Sequence, residues 1–377
     1  MMSPRRYIFV FTLAFLGFST LTVSVNYLID PYLMMDSKRW QGFNLHKVEI
    51  GKHLKMSKAY HPNFEEWDTL LVGNSRIEMG LDPNHSCFRK SANKVYNLGL
   101  PGAGVRQQLE YALNLIYQQP VKQVFLSIDF VDFLVLNEWR SPKGEPDLSA
   151  PSGRLKFTFD GSKNPDHTSA SFMDHYRALF SLDALFASLQ TLALQSPRQS
   201  DRNNHGFNPA RDYKHGVNIE GAHAFFAQKM SIMENKYSKD WSLKYNNGSP
   251  SQSFAVLASF LEIAEQKGVK VILFTNPFHQ KFWDLLRDNN LYEMHQVWLD
   301  DVQSLISNAG SPNTLLWDFS ADSEYIHEKV PADHLKGNPL NWFWEPAHYR
   351  KELGDLMLNR MLADQCQTKS KFGARLL

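Results

Sequence analysis

Ser75, Glu345 and His348 are the residues whose types and spacing could do chemistry in this chain. A serine hydroxyl becomes a nucleophile when a base takes its proton and a third group orients that base. Trp344-Glu345-Pro346-Ala347-His348 puts a carboxylate three residues before an imidazole, far downstream of Ser75. An early serine with a late acid–base pair suggests nucleophilic acyl chemistry. Taken alone, Ser75 reads first as a helix amino-cap, a role that serine favours.

The elements that must position these groups are legible around them. Leu70-Leu71-Val72 is an apolar run of strand type, and it ends in the small-residue turn Gly73-Asn74-Ser75-Arg76. A helical pattern can begin just beyond. Open α/β sheets place their ligands at the carboxyl ends of parallel strands. The following helix would aim free N–H groups and its dipole at a developing negative charge. Five apolar, partly β-branched runs recur at Thr69–Val72, Val95–Leu98, Val121–Ile128, Val269–Thr275 and Thr314–Trp317. Helical patterns at Val105–Tyr117, Phe254–Lys267, Gln280–Arg287, Tyr292–Asn308 and Arg350–Leu362 lie between or after them. Alternation of this kind predicts βαβ units: an α/β fold, a three-layer α/β/α sandwich around a five-stranded parallel sheet. The stretch from Arg140 to Pro250 interrupts the rhythm and is rich in Ser, Asn, Asp, Pro and Gly, with helical islands near Phe172–Leu192 and Ala222–Tyr237. An insertion that long is expected either to cover the carboxyl ends of the strands or to be a surface excursion.

In order and position these blocks resemble the SGNH (GDSL-like) hydrolase family, over residues 66–135 and 255–362. The turn holding Ser75 matches the family's first block in place, though not in its usual Gly-Asp-Ser letters. Asn97-Leu98-Gly99-Leu100-Pro101-Gly102 looks like the second block, whose glycine supplies an oxyanion-hole N–H. Ser127-Ile128-Asp129-Phe130 falls where the third block belongs, and Glu345 stands where the family normally has Asp. The resemblance is strongest to membrane-anchored SGNH-like proteins found with bacterial polysaccharide biosynthesis and O-acetylation. It implies an esterase or O-acyltransferase acting on an exported carbohydrate, or a catalytically inactive glycan-binding or assembly module of the same fold. It further implies a membrane-bound acyl-donor protein as a partner and no cofactor.

The oxyanion side of the site departs from the family. Its third-block donor is usually Asn, and this chain has Asp129. A carboxylate there repels an oxyanion unless it is protonated or turned away. Arg76 could pair with Asp129 or face an anionic substrate. The backbone N–H groups of Ser75 and of Gly99 or Gly102 are candidate donors, with Asn74 as a possible replacement. Asn276, ending the fourth strand, either binds substrate or turns the chain. Trp342, Phe343 and Trp344 flank the acid–base pair, where aromatic faces suit sugar stacking or core packing. Gly99 to Gly104 invites a dinucleotide reading, but the glycine order is wrong and Pro101 stiffens the turn. His205, His215 and His223 lack metal-ligand spacing.

Composition sets the compartment and excludes one class of partner. Lys and Arg total 40 against 39 for Asp and Glu in 377 residues, so nothing points to nucleic acid. Arg5 and Arg6 precede Tyr7–Ile29, a charge-free run of 23 residues. About 20 suffice to cross a bilayer as a helix. Arginines before the span and none just after predict a cytoplasmic amino terminus and an external body. The expected layout is a membrane anchor over 1–32 and a juxtamembrane segment over 33–65. The α/β domain then spans 66–365, with the insertion at 140–250 and a solvated basic tail at 366–377. A bacterial inner-membrane protein with its body in the periplasm follows from this together with the resemblance. Cys87 and Cys366 could form a disulfide or remain buried thiols.

Overall fold

All five residues of Thr69–Gly73 and of Val95–Gly99 are buried. That is the pattern of strands covered on both faces, and it is why they read as continuous apolar runs rather than alternating ones. The computed structural model describes residues 3–91, 93–138, 152–196, 201–310, 312–332, 340–364, 366 and 370–377. The start of the insertion at Arg140 and the residue Lys369 of the basic tail lie outside the described residues. The strands are β1 (Thr69–Gly73), β2 (Val95–Gly99), β3 (Gln123–Ile128), β4 (Val135–Leu136) and β5 (Trp241–Ser242). They continue with β6 (Lys270–Thr275), β7 (Thr314–Asp318), β8 (Phe343–Glu345), β9 (His348–Tyr349) and β10 (Ala374–Arg375).

The chain is an α/β protein built on a mostly parallel central sheet of order β10-β7-β6-β3-β1-β2. β1 pairs with β2 on one side and β3 on the other, Val72 standing opposite both Leu98 and Leu126. The chain therefore reverses its direction of progress across the sheet between β1 and β3. Crevices at such a reversal, outside the carboxyl ends of the strands, are where open α/β sheets take ligands. Ser75 follows β1 and Asp129 follows β3, so both stand there. Helix Gln252–Gln266 packs on both Val105–Ile116 and Tyr292–Ala309, and Ser75–Gly80 packs on Lys351–Met361. β8 and β9 form a separate antiparallel ribbon that carries Glu345 and His348.

Three expectations change. The sheet has six strands, because β10 from the tail adds antiparallel to β7, with Arg375 opposite Trp317. The tail is accordingly part of the domain: Phe372 is buried and Cys366 is disulfide-bonded to Cys87, Cα to Cα 5.6 Å. A two-residue strand leaves no periodicity to read, and what recruits it is the row of open backbone groups on the sheet edge. The insertion divides rather than simply covering the strand ends. Helices His167–Phe180 and Leu182–Ala193 pack on the amino-terminal helix Pro4–Ile29, whereas Arg211–Glu220 and Ala222–Tyr237 pack on β8.

The amino-terminal helix is long and apolar enough to span a membrane. It ends at Ile29 because Asp30 turns left-handed, with φ 46°, one residue ahead of Pro31. The Asp30 carboxylate accepts the N–H groups of Met34 and Met35 at 2.8 and 3.0 Å, and Lys47 caps the Ile29 carbonyl. The juxtamembrane segment is thus folded onto the domain, with Met34, Met56 and Tyr60 in its core.

Candidate active site

Asn74 opens the six-residue helix Ser75–Gly80, its side-chain oxygen accepting the Arg76 N–H at 3.1 Å. Ser75 occupies the first helical position, half-buried, and is not the cap itself. Its Oγ lies 2.7 Å from His348 Nε2 across 273 residues of chain. His348 Nδ1 faces Glu345 Oε1, and Glu345 Oε2 accepts the Ala347 N–H at 2.9 Å. A carboxylate at Nδ1 selects the tautomer with the proton there, leaving the Nε2 lone pair for the serine hydroxyl. Burial opposes the charge on Glu345. The imidazole beside it and the Ala347 N–H outweigh that, holding its carboxyl below the usual range. Tyr213 of the insertion lies 6.2 Å from the His348 ring, centroid to centroid.

Close approaches hold the two halves of this relay together. A Cβ on Gly354 would sit 1.9 Å from the Gly80 carbonyl, and one on Gly80 would sit 2.1 Å from the Tyr349 ring. Only hydrogen fits at either place, so the serine helix lies directly against the strand that carries His348. Asn97, fully buried on β2, donates to the Ile77 and Leu81 carbonyls at 2.7 and 2.8 Å and fixes the far end of the same helix. Arg202 of the insertion grips Glu78 through two bonds of 2.9 and 3.0 Å. Neither of the last two braces was anticipated. Nothing local marks Arg202 as the partner of an acid 124 residues away.

Asp129 pairs with Arg76, as the sequence allowed, and gathers two amides besides. Its Oδ2 accepts from Asn74 Nδ2 and Arg76 Nη1, both at 2.7 Å, and its Oδ1 accepts from Asn276 Nδ2 at 2.9 Å. Asn276 in turn accepts from the Tyr349 hydroxyl at 3.0 Å. These residues stand at the ends of the adjacent strands β1, β3 and β6, so one carboxylate ties three strand ends and the serine turn together. Burial works against the Arg76 charge, and Asp129 and Asp132 restore it. Arg76 Nε also donates to the Ala347 carbonyl at 2.8 Å, within the acid–base ribbon. Asp132, pushed up to about 7 by burial and by Asp129, lies behind this hub.

These contacts choose among the roles that the sequence left open. Arg76 is buried against Asp129 and the Phe278 ring, not turned toward a substrate. The Asn74 amide is spent on Asp129 and so is no spare oxyanion donor. The Gly99 N–H is also taken, by Asn97 Oδ1 at 2.9 Å. Gly102 remains. It is exposed, with φ +71°, at the third position of the turn Leu100-Pro101-Gly102-Ala103, where only a left-handed residue fits. That turn begins beside the strand that leads to Ser75, the Leu100 N–H donating to the Gly73 carbonyl at 2.8 Å. Phe343 and Trp344 are buried and pack the core. His279 caps the helix Gln280–Asp288 and borders a cleft of about 570 Å³ shared with His223, Lys281 and His327. Among the described residues no group of three His, Cys, Asp or Glu side chains could hold a metal ion. No protein-family model matches the chain, and no curated protein is significantly similar to it.

Proposed function

We propose that the domain is an SGNH-like serine esterase or O-acyltransferase, a three-layer sandwich that uses Ser75 as nucleophile on an acylated carbohydrate. The reading rests on one observation: Ser75 Oγ, His348 and Glu345 form a continuous hydrogen-bonded relay at the sheet's topological reversal. His348 Nε2 takes the hydroxyl proton as Oγ attacks the acyl carbonyl, and Glu345 steadies the imidazolium. The tetrahedral oxyanion is met by the Ser75 N–H at the helix start and the Gly102 N–H of the neighbouring turn. His348 then returns the proton to the departing oxygen, leaving Ser75 acylated. Water completes hydrolysis; a sugar hydroxyl, deprotonated by the same imidazole, completes transfer. Arginines before the apolar helix support a body outside the cytoplasm, and the family resemblance supports a bacterial periplasm. An exported polysaccharide is then the substrate, with a membrane-bound acyl-donor protein as partner for transfer.

Asp129 favours a second reading. With the third-block donor replaced by a carboxylate already engaged by three N–H groups, the fold could bind glycan without turnover. A fluorophosphonate probe on the full-length protein separates the two. The enzyme reading expects one labelled peptide, carrying Ser75. It also expects Ser75→Ala to abolish labelling and to cut aryl-acetate turnover by roughly three or more orders of magnitude. Glycan binding with no labelling and no turnover in the unmodified chain would make the binding module the better account.

A further inference from the structure

The insertion helices His167–Phe180 and Leu182–Ala193 are built inside out. Their buried positions are small, namely Ala178, Ala184, Ala187, Ser188 and Thr191, apart from Asp174, which turns toward the domain to pair with Arg154 and Tyr60. Their large apolar side chains point outward instead, with Phe172 69 % exposed, Leu182 65 % and Phe186 62 %. Phe172, Tyr176 and Phe180 form an exposed helical stripe of stacked rings, centroids 6.3 and 5.0 Å apart. Helices in water bury the large residues and expose the polar ones. Helices in lipid meet one another through small residues and give the large ones to the acyl chains.

Where the hairpin sits names its surroundings. It packs along the amino-terminal helix, whose residues 3–18 are wholly exposed and whose protected positions are Ser19, Thr22, Val23, Val25, Asn26 and Ile29. From Ser19 to Ile29 is about 15 Å at a rise of 1.5 Å per residue, close to half the hydrocarbon thickness of a bilayer. The hairpin also completes the one amide on this face of the span. Asn26 Nδ2 donates to the Leu179 carbonyl, and Asn26 Oδ1 accepts from Ser188, both at 2.9 Å. An asparagine among acyl chains needs such partners. Arg177 is exposed near the tip, with a stem long enough to carry its charge toward the headgroups, and Asp183 is exposed beside it. Trp40 and Phe43 are exposed just past the end of the span, where amphipathic aromatics favour the interface.

We propose that the hairpin His167–Ala193 is a second membrane-contacting element, its outward stripe seated among the lipids of the leaflet from which the span emerges. The domain is thereby held flush with the bilayer at two points instead of hanging from a tether. Because Cys87 and Cys366 are bonded to each other, a single introduced cysteine is the only free thiol in the protein. Phe186→Cys in the full-length chain is labelled with nitrobenzoxadiazole and reconstituted in phosphatidylethanolamine–phosphatidylglycerol vesicles. Quenching by acyl-chain doxyl lipids should match that at Leu21→Cys on the span and clearly exceed that at Ile232→Cys on the helix Ala222–Tyr237. Quenching no stronger than at Ile232→Cys overturns the proposal. So does protection of the thiol from a water-soluble reagent without doxyl quenching, which would mean that protein covers the face. If Phe186→Cys fails to fold, Tyr176→Cys on the other helix gives the same reading.

Discussion

Glu345 and Asp129 are both buried carboxylates beside the Ser75 turn, and they differ in what they accept. Glu345 takes the His348 imidazole and one backbone N–H, so its charge is directed at a group that gains and loses a proton. Asp129 takes Arg76 and two amides, none of which changes charge, so it holds the ends of β1, β3 and β6 in register. The same functional group thus faces a titratable ring in one place and fixed donors in the other. Acid and base in the first pair come from one short ribbon, whereas the second carboxylate gathers its donors from separate strand ends.

The largest effect should come from Glu345→Gln. Loss of the carboxylate removes both the tautomer selection and the stabilisation of the imidazolium, so turnover should fall roughly 10²- to 10⁴-fold. Stability should change less than with Asp129→Asn. Steady-state kinetics beside urea unfolding would show this, and a Glu345→Gln protein that unfolds easily yet keeps its rate would reverse the contrast. Asp129→Asn comes next. It leaves the Arg76 guanidinium buried without its counter-charge, for which about 3–5 kcal/mol is the usual cost of breaking a buried pair. Its turnover should drop with its stability. A gain in turnover would mean instead that the carboxylate restrains an otherwise competent oxyanion hole.

Smaller effects sharpen the same contrast. Gly354→Ala forces a methyl group into the Gly80 carbonyl and should cost about 1–3 kcal/mol. It should also lower turnover, because it pushes the Ser75 helix away from His348. An unaltered thermal midpoint and rate would show that this contact does not align the pair. The smallest change is expected from Asp132→Asn, read as a pH dependence. The folded value of Asp132, about 7, lies above its ordinary 3.8. Its stabilising contribution is therefore complete below about pH 4 and lost as pH rises through about 7. Melting of the detergent-solubilised protein across that window should decline less steeply in the variant than in the parent, and parallel curves would place the buried titration elsewhere.

Much of the sheet was legible because its strands are locally encoded. Continuous apolar runs mark β1, β2, β3, β6 and β7, and Pro101 marks the stiff turn that follows β2. The span, the serine turn and the acid three residues ahead of the imidazole belong to the same class, since each is set by neighbours in the chain. The three strand ends that meet at Asp129 could not be read in that way. Nor could the Arg202–Glu78 brace, the Gly80–Gly354 approach or the strand supplied by the tail. Their partners lie tens to hundreds of residues apart, and no local period or propensity selects among the many possible pairings. Packing made those selections: a carboxylate that loses its water must find donors wherever the strand ends deliver them. So the sequence by itself determined the strands, one helix long and apolar enough to span a membrane, and the three residue types of the proposed relay. The tertiary structure alone decided that Asp129 is a strut, that the Gly99 N–H and the Asn74 amide are already spent, and that the insertion's large apolar side chains face outward beside the span.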